Sequence, residues 1–247
     1  MRPLPAGERW LIAGSSGSGK SVYARWLLAN AVPDTVPTYV VDSKGDFLPG
    51  VKQVTLAEAA SEAKTRTRML VRVAPGIDEQ QDADAWDGLW LAILKHRRPA
   101  VVYVDEAYQV PTTPGLVRLL TTGRALGVSA IASTQRPVWI SRFWLSEAVR
   151  YSVFNLADKR DRQTLSALIP TADPNTKPAR FGHLYYDSLA EPGQPGYAEA
   201  GPCWFGPVDV KDAPKILAHR ARERLEKPEL ELAGGIVWLP RKKVPTA

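Results

Sequence analysis

The residues Gly14-Ser15-Ser16-Gly17-Ser18-Gly19-Lys20-Ser21 have the types and spacing that hold a phosphate chain. Glycines let a backbone curl until its N–H groups converge on an anion, with no Cβ in the way. Lys20 is spaced to reach the β- and γ-phosphates, and the Ser21 hydroxyl to complete the shell of a Mg²⁺ ion. These fixed positions coincide by chance in about one chain of this length in a hundred. A flexible Gly/Ser turn is therefore the reading to beat, and the flanks decide against it. The apolar run Trp10-Leu11-Ile12-Ala13 precedes the loop, and a helical pattern (Val22, Trp26, Leu27, Ala29) follows it. A strand, a glycine loop and a new helix, whose unsatisfied amides add a positive end, predict a nucleoside triphosphate site.

A second set of groups suits hydrolysis. Ala100-Val101-Val102-Tyr103-Val104 reads as a strand buried on both faces, and it delivers Asp105-Glu106 to its carboxyl end. Asp105 is placed to hold Mg²⁺ through water, and Glu106 to orient and polarise the attacking water. Val128 to Ser133 predicts another buried strand, whose tip carries Thr134-Gln135-Arg136-Pro137. Gln135 there has the reach to hydrogen-bond a γ-phosphate or the water. Asp42-Ser43-Lys44-Gly45-Asp46 ends a further strand, Thr38 to Asp42, and suits either a ligand edge or a polar turn. The spatial expectation is that two neighbouring strand ends bring the phosphate loop and the carboxylate pair together.

The elements that must position these groups follow an alternating strand and helix pattern, which predicts an α/β fold with a central, mostly parallel sheet flanked by helices. Val51 to Leu56 and Arg68 to Ala74 read as short strands around a helix over Leu56 to Thr65, and Asp78 to Asp84 as an acidic loop. Asp84 to Arg98 reads as a helix with Trp86, Leu89, Trp90, Ile93 and Leu94 on one face and Lys95-His96-Arg97-Arg98 at its negative end. Thr113-Pro114 opens the next helix and Gly127 closes it. Arg142 to Arg150 is expected to be helical, Tyr151 to Leu156 a strand, and Asp158 to Leu168 a helix. Beyond Pro170, His183 to Asp187 and Cys203 to Phe205 suggest an antiparallel extension. A last helix begins at Asp212 and carries Lys215, Arg220, Arg222 and Arg224, followed by the basic run Arg241-Lys242-Lys243. The expected organisation is a single domain, with its core over residues 8–170 and an extension over 171–247.

Composition narrows the classes. The 247 residues are 45% apolar, enough for one α/β domain with a large core, and the formal charge of +6 favours an anionic partner such as nucleic acid. One cysteine excludes an internal disulfide, and with three histidines it cannot supply a zinc cluster. No apolar run approaches the ~20 residues of a membrane span, and the amino terminus lacks a signal-peptide pattern. A cytosolic setting is expected.

With these pieces placed, the chain resembles the FtsK–HerA superfamily of RecA-like ATPases, over residues 8–170. The matching stretches are Gly14 to Ser21, Asp42 to Asp46, Val104-Asp105-Glu106-Ala107, and Gly123-Arg124-Ala125-Leu126-Gly127 followed by Ser133-Thr134-Gln135-Arg136-Pro137. The resemblance implies a RecA-like (ASCE) P-loop NTPase that uses ATP and Mg²⁺. It makes Gln135 the sensor of the γ-phosphate and Arg124 an arginine that acts across a subunit interface, with Arg136, Arg150 and Arg160 in reserve for that role. It further implies a homo-oligomeric ring, pentamer or hexamer, that moves double-stranded DNA by its phosphates. Viral genome packaging is the leading role, with docking on a capsid or portal vertex in the host cytoplasm or on the virion. Filamentous-phage assembly and conjugative or mobile-element transfer stand as alternatives in the motor class. A nucleotide-dependent switch NTPase without DNA stands outside it. Adjacent Asp105 and Glu106 and the Gln135-Arg136 tip argue against a metabolic kinase.

Overall fold

The computed structural model describes residues 4, 6–48, 51–65, 70–79, 82–170, 177–191, 203–205, 208 and 211–222. The expectations at Arg68, Arg224 and Arg241-Lys242-Lys243 lie outside them. The chain runs β1 (Arg9–Ala13), α1 (Lys20–Ala31), β2 (Thr38–Val41), β3 (Gln53–Val54), α2 (Leu56–Thr65), β4 (Leu70–Val73) and α3 (Ala83–Lys95). It continues with β5 (Ala100–Val104), α4 (Pro114–Thr121), β6 (Val128–Thr134), α5 (Arg142–Glu147), β7 (Arg150–Val153), α6 (Lys159–Ser166), β8 (His183–Asp187), β9 (Cys203–Phe205) and α7 (Ala213–Arg222).

The described strands form one sheet in the order β3-β4-β2-β5-β6-β1-β7-β8-β9. Every pairing from β3 through β7 is parallel, and β7–β8 and β8–β9 are antiparallel, as the extension required. The order corrects one expectation. β1 and β5 are not neighbours, because β6 pairs with both and lies between them. A parallel crossover needs space for its helix, and inserting β6 there brings a third strand end, the one with Gln135, between the loop and the carboxylates.

Strand pleating divides the core into two layers. Leu11, Val41, Val102 and Val104 pack with Leu89, Trp90, Leu116 and Leu119 of α3 and α4 on one face. Trp10, Ile12, Val101 and Tyr103 pack with Tyr23, Leu27 and Leu28 of α1 and Leu217 of α7 on the other. Caps set several helix starts: the Asp82 carboxylate accepts N–H bonds at the start of α3, and Thr113 Oγ1 accepts from Leu116 N–H at the start of α4. The last turn of α1 has no basic residue of its own. Arg220 of α7 supplies it from across the layer, donating to the Leu28 and Ala29 carbonyls at 3.0 and 3.2 Å.

The helix expected over Arg142 to Arg150 stops at Glu147, and Arg150 opens β7 instead. The reason is tertiary. The Arg150 guanidinium is wholly buried, with Nε 2.8 Å from Glu8 Oε2 and 3.2 Å from Asp187 Oδ2, and it lies over the Trp10 ring. Partners on β8 and ahead of β1 make a charged residue acceptable at the start of a buried strand. Arg150→Met is expected to leave two buried carboxylates facing apolar surface, at a cost of about 3–5 kcal/mol in unfolding free energy. Urea denaturation of both proteins measures this.

Candidate active site

The phosphate loop joins β1 to α1 and is anchored on both sides. Gly14 N–H donates to the Thr134 carbonyl at the end of β6 at 3.1 Å, and Ser15 N–H to the Asn155 carbonyl beyond β7 at 2.8 Å. Ser15 Oγ accepts from Ala157 N–H at 2.9 Å. The path needs its glycines: Gly19 has φ of 105°, and a Cβ on Gly14 would come within 2.6 Å of Phe154 Cβ and Ser18 Oγ. Lys20 begins α1 and is buried. Burial holds its ammonium below the usual lysine value, against the pull of Glu106 and Asp105.

The end of β5 presents Asp105 and Glu106, both nearly inaccessible to solvent. Ser133 Oγ donates to Asp105 Oδ1 at 2.6 Å and the Tyr103 hydroxyl donates to the same oxygen at 2.9 Å. Burial nonetheless pushes the Asp105 carboxyl above the usual aspartate value. A hard cation favours the ionised form of such a carboxylate, so Asp105, with the Ser21 hydroxyl in the first turn of α1, suits Mg²⁺. Asp42, Asp46 and Asp105 have carboxylate oxygens within 4.8 Å of one another. Asp42 has a different task. It accepts from Arg72 Nε at 2.9 Å and from the Gly45 and Phe47 N–H groups at 2.9 and 3.0 Å, which fixes the loop after β2.

Glu106 is the meeting point. Its φ of 50° is left-handed, a conformation that costs a non-glycine residue of order 1 kcal/mol or more and concentrates at functional sites. Lys44 Nζ donates to Glu106 Oε1 at 2.8 Å, and Lys20 Nζ lies 3.9 Å from the same oxygen. Gln135 N–H donates to Oε2 at 3.1 Å, and the Gln135 side-chain amide donates to Oε1. Burial alone would lower the Lys44 ammonium, but its hydrogen bond and attraction to Glu106 outweigh that and hold it above the usual lysine value. Glu106 N–H donates to Ser133 Oγ at 3.4 Å, so one hydroxyl braces both carboxylate residues.

Thus Lys20, Asp105, Glu106 and Gln135 share one edge of the sheet. Lys44 and Ser133 join them. Both sit inside runs that the sequence flags at strand ends, yet nothing in their types separates them from neighbouring turn residues.

The arginines separate by position. Arg124 is exposed in the tight helical turn Gly123–Leu126 ahead of β6. Buried Arg9 braces that turn, donating to the Leu119, Leu120 and Val128 carbonyls at 2.7, 2.8 and 2.7 Å. β6 has seven residues, so at ~3.3 Å per residue Arg124 stands roughly 20 Å from the Gln135 end. That excludes action on its own subunit's phosphate. Arg136 is beside the site but occupied, 2.9 Å from Asp161 and 3.2 Å from Asp158, with its guanidinium 4.2 Å from the Trp139 ring centroid. Arg150 is sealed in the core and cannot reach a neighbour, whereas Arg160 is exposed on α6.

A parallel sheet with a phosphate loop after β1, an acidic pair after β5 and a polar tip on the strand between them defines a RecA-like P-loop ATPase. No family model matches the chain. It is 32% identical over 191 residues to the DNA packaging ATPase P9 of Enterobacteria phage PRD1, a match covering 73% of this chain and 82% of that one. The chain belongs to this family of phage DNA-packaging ATPases.

Solved structures agree on the fold. The genome packaging NTPase B204 of Sulfolobus turreted icosahedral virus 2, in complex with AMPPCP, superposes with a TM-score of 0.62 at 19% identity, covering 81% of this chain and 98% of that one. The DNA-packaging ATPase B204 of Sulfolobus turreted icosahedral virus gives 0.60 at 20% identity, with coverages of 83% and 100%. VirB4 of Thermoanaerobacter pseudethanolicus gives 0.53 at 10% identity, with coverages of 74% and 87%. None of the helices among the described residues is long and apolar enough to cross a membrane.

The double role of Ser133 is testable. Ser133→Ala removes a donor from buried Asp105 and an acceptor from Glu106 N–H, at a cost of about 1–3 kcal/mol in stability. Turnover should fall more than ATP affinity does, because the carboxylates lose their bracing while the phosphate loop is untouched. Thermal unfolding and steady-state ATPase kinetics measure the two effects.

Proposed function

We propose that this chain is an ATP-driven double-stranded DNA translocase that packages a viral genome, working as a ring of identical subunits, pentameric or hexameric, docked on a capsid or portal vertex. The observation that carries it is the split of the machinery between two edges of one sheet. Lys20, Glu106 and Gln135 gather at the carboxyl edge, while Arg124 stands braced and exposed at the opposite one. A subunit built this way supports efficient hydrolysis only when a neighbour presents its Arg124 side. The role in packaging is supported by the relationship to the PRD1 protein, and the grip on DNA by the excess of basic charge.

In this reading the chain is one ATPase unit, core 8–170 with extension 171–247, placed in the host cytoplasm or on the virion. The backbone of Gly14 to Ser21 cradles the phosphates and Lys20 turns from Glu106 to the γ-phosphate. Ser21 and Asp105 would hold Mg²⁺, which when bound would offset the charge of the phosphates. Glu106, released from Lys44, takes a proton from the attacking water. The water oxygen bonds to phosphorus as the bond to the ADP oxygen breaks. Gln135 donates to both the water and the γ-phosphate, so its link to Glu106 couples sensing to base placement. Arg124 of the adjacent subunit stabilises charge spreading over the γ-phosphoryl oxygens. DNA is gripped through its phosphates, because a packaging motor must accept any sequence.

Linear duplex DNA should raise ATP hydrolysis severalfold, with stimulation falling steeply as salt rises. An ATPase rate indifferent to DNA at low salt would favour the switch reading instead. Lys20→Ala should abolish turnover, and Glu106→Gln should bind ATP but slow hydrolysis about a hundredfold or more. Arg124→Ala subunits mixed with Lys20→Ala subunits should regain part of the activity that each lacks alone. No recovery at any mixing ratio counts against a finger in trans.

A further inference from the structure

Lys44 stands at the mouth of the site, on the loop that follows β2. Its side chain is 36% exposed, yet its Nζ lies 2.8 Å from Oε1 of Glu106, a side chain only 3% exposed. The other ammonium near that oxygen belongs to Lys20, at 3.9 Å. A phosphate oxygen that meets Lys20 is therefore a short side-chain swing from Lys44, whose flexible four-carbon stem allows the movement.

The backbone around Lys44 is fixed, which leaves the swing to the side chain. The Asp42 carboxylate accepts from the Gly45 and Phe47 N–H groups at 2.9 and 3.0 Å. Arg72 donates to the Gly45 carbonyl and, at 3.0 Å, to the Val51 carbonyl. Gly45 itself has a φ of 78°, a left-handed turn that glycine adopts at little cost. The neighbouring arginines are committed elsewhere. Arg72 is buried against Asp42, and Arg136 is paired with Asp158 and Asp161.

A γ-phosphoryl group arriving at the loop brings negative charge that competes with Glu106 for both ammoniums. Lys44 has much the more exposed side chain of the two, so it changes partner without being stripped of further water. We propose that Lys44 is a second γ-phosphate ligand, acting within its own subunit. It exchanges Glu106 for the γ-phosphoryl oxygens, and so brings positive charge to the transition state in the movement that uncovers the base. This rests on the phosphate-loop reading above. Charge spreads over the γ-phosphoryl oxygens during hydrolysis, and a lysine there acts as a point charge that adds to the effect of Lys20. The contact needs the γ-phosphate, so Lys44 distinguishes a triphosphate from a diphosphate.

The test compares the full chain with Lys44→Met and Lys44→Arg, by calorimetric titration with Mg-AMPPCP and Mg-ADP and by steady-state ATPase kinetics. Lys44→Met should weaken AMPPCP about tenfold or more while leaving ADP within twofold, and should lower kcat about a hundredfold. Lys44→Arg, which keeps the charge, should retain most of the preference for AMPPCP. Unchanged AMPPCP affinity in Lys44→Met would overturn the proposal. With slower turnover it would make Lys44 a support for Glu106 alone, and with faster turnover a latch that swings into water or onto Asp46. Equal losses for AMPPCP and ADP would make it a support for the loop, and an Lys44→Arg variant as impaired as Lys44→Met would also count against it. An unmodified chain that binds neither nucleotide would defeat the phosphate-loop reading itself, an outcome distinct from the others.

Discussion

The site depends on one buried carboxylate held by more partners than it can keep during a reaction. Glu106 accepts from Lys44 and from both the main chain and side chain of Gln135, with Lys20 within 4 Å. A carboxylate almost wholly withdrawn from water needs such compensation, since an unpaired buried charge is costly by several kcal/mol. The same bonds occupy the oxygens that a water molecule would have to approach. Lys20 and Gln135 are also the groups best placed to meet an incoming γ-phosphate. In the proposed mechanism, a phosphate that draws them away would supply their new partner and loosen Glu106 in the same event, so binding and base release would follow from a single exchange of charge partners.

The opposite edge of the sheet is built for rigidity. Arg150 is clamped between Glu8 and Asp187, and Arg9 binds carbonyls from α4 and β6. Burial holds the Arg9 guanidinium down at about 10, still fully charged near pH 7. Arg9 thereby ties together the elements on either side of the turn that carries Arg124. Under the proposed action in trans, Arg124 would gain from a firm mount, because its placement would then report where the whole subunit is rather than how one loop fluctuates.

How much of this could be read in the sequence depended on range. The phosphate loop and the Asp105-Glu106 pair are local patterns, since glycine spacing and an apolar run fix their chemistry without knowledge of the rest. The helices with caps and clear faces, α3 and α4, were legible for the same reason. The strand over Tyr151 to Val153 was legible, but its start at Arg150 was not, because that arginine's acceptability comes from Glu8 and Asp187, far away in the chain. The placement of β6 between β1 and β5 was hidden too, since strand order is a property of crossovers and not of any strand's composition. Lys44 and Ser133 sit inside stretches that carry the family resemblance, but nothing in their types gives them a partner, and only the folded geometry shows what they touch.

The two sides of the phosphate loop differ in kind, and β1 divides them. On the β5 side the groups are charged, hydrogen-bonded and buried, so each displacement has a definite electrostatic consequence. On the β7–β8 side the surface is aromatic, and the extension that follows the core supplies part of it through His183 and Phe181. In the proposed cycle, whatever hold Lys20 and Gln135 have on the nucleotide would disappear with the γ-phosphate. Hydrolysis would then weaken the grip on the charged side first, and product release would begin at the end where Glu106 regains its partners.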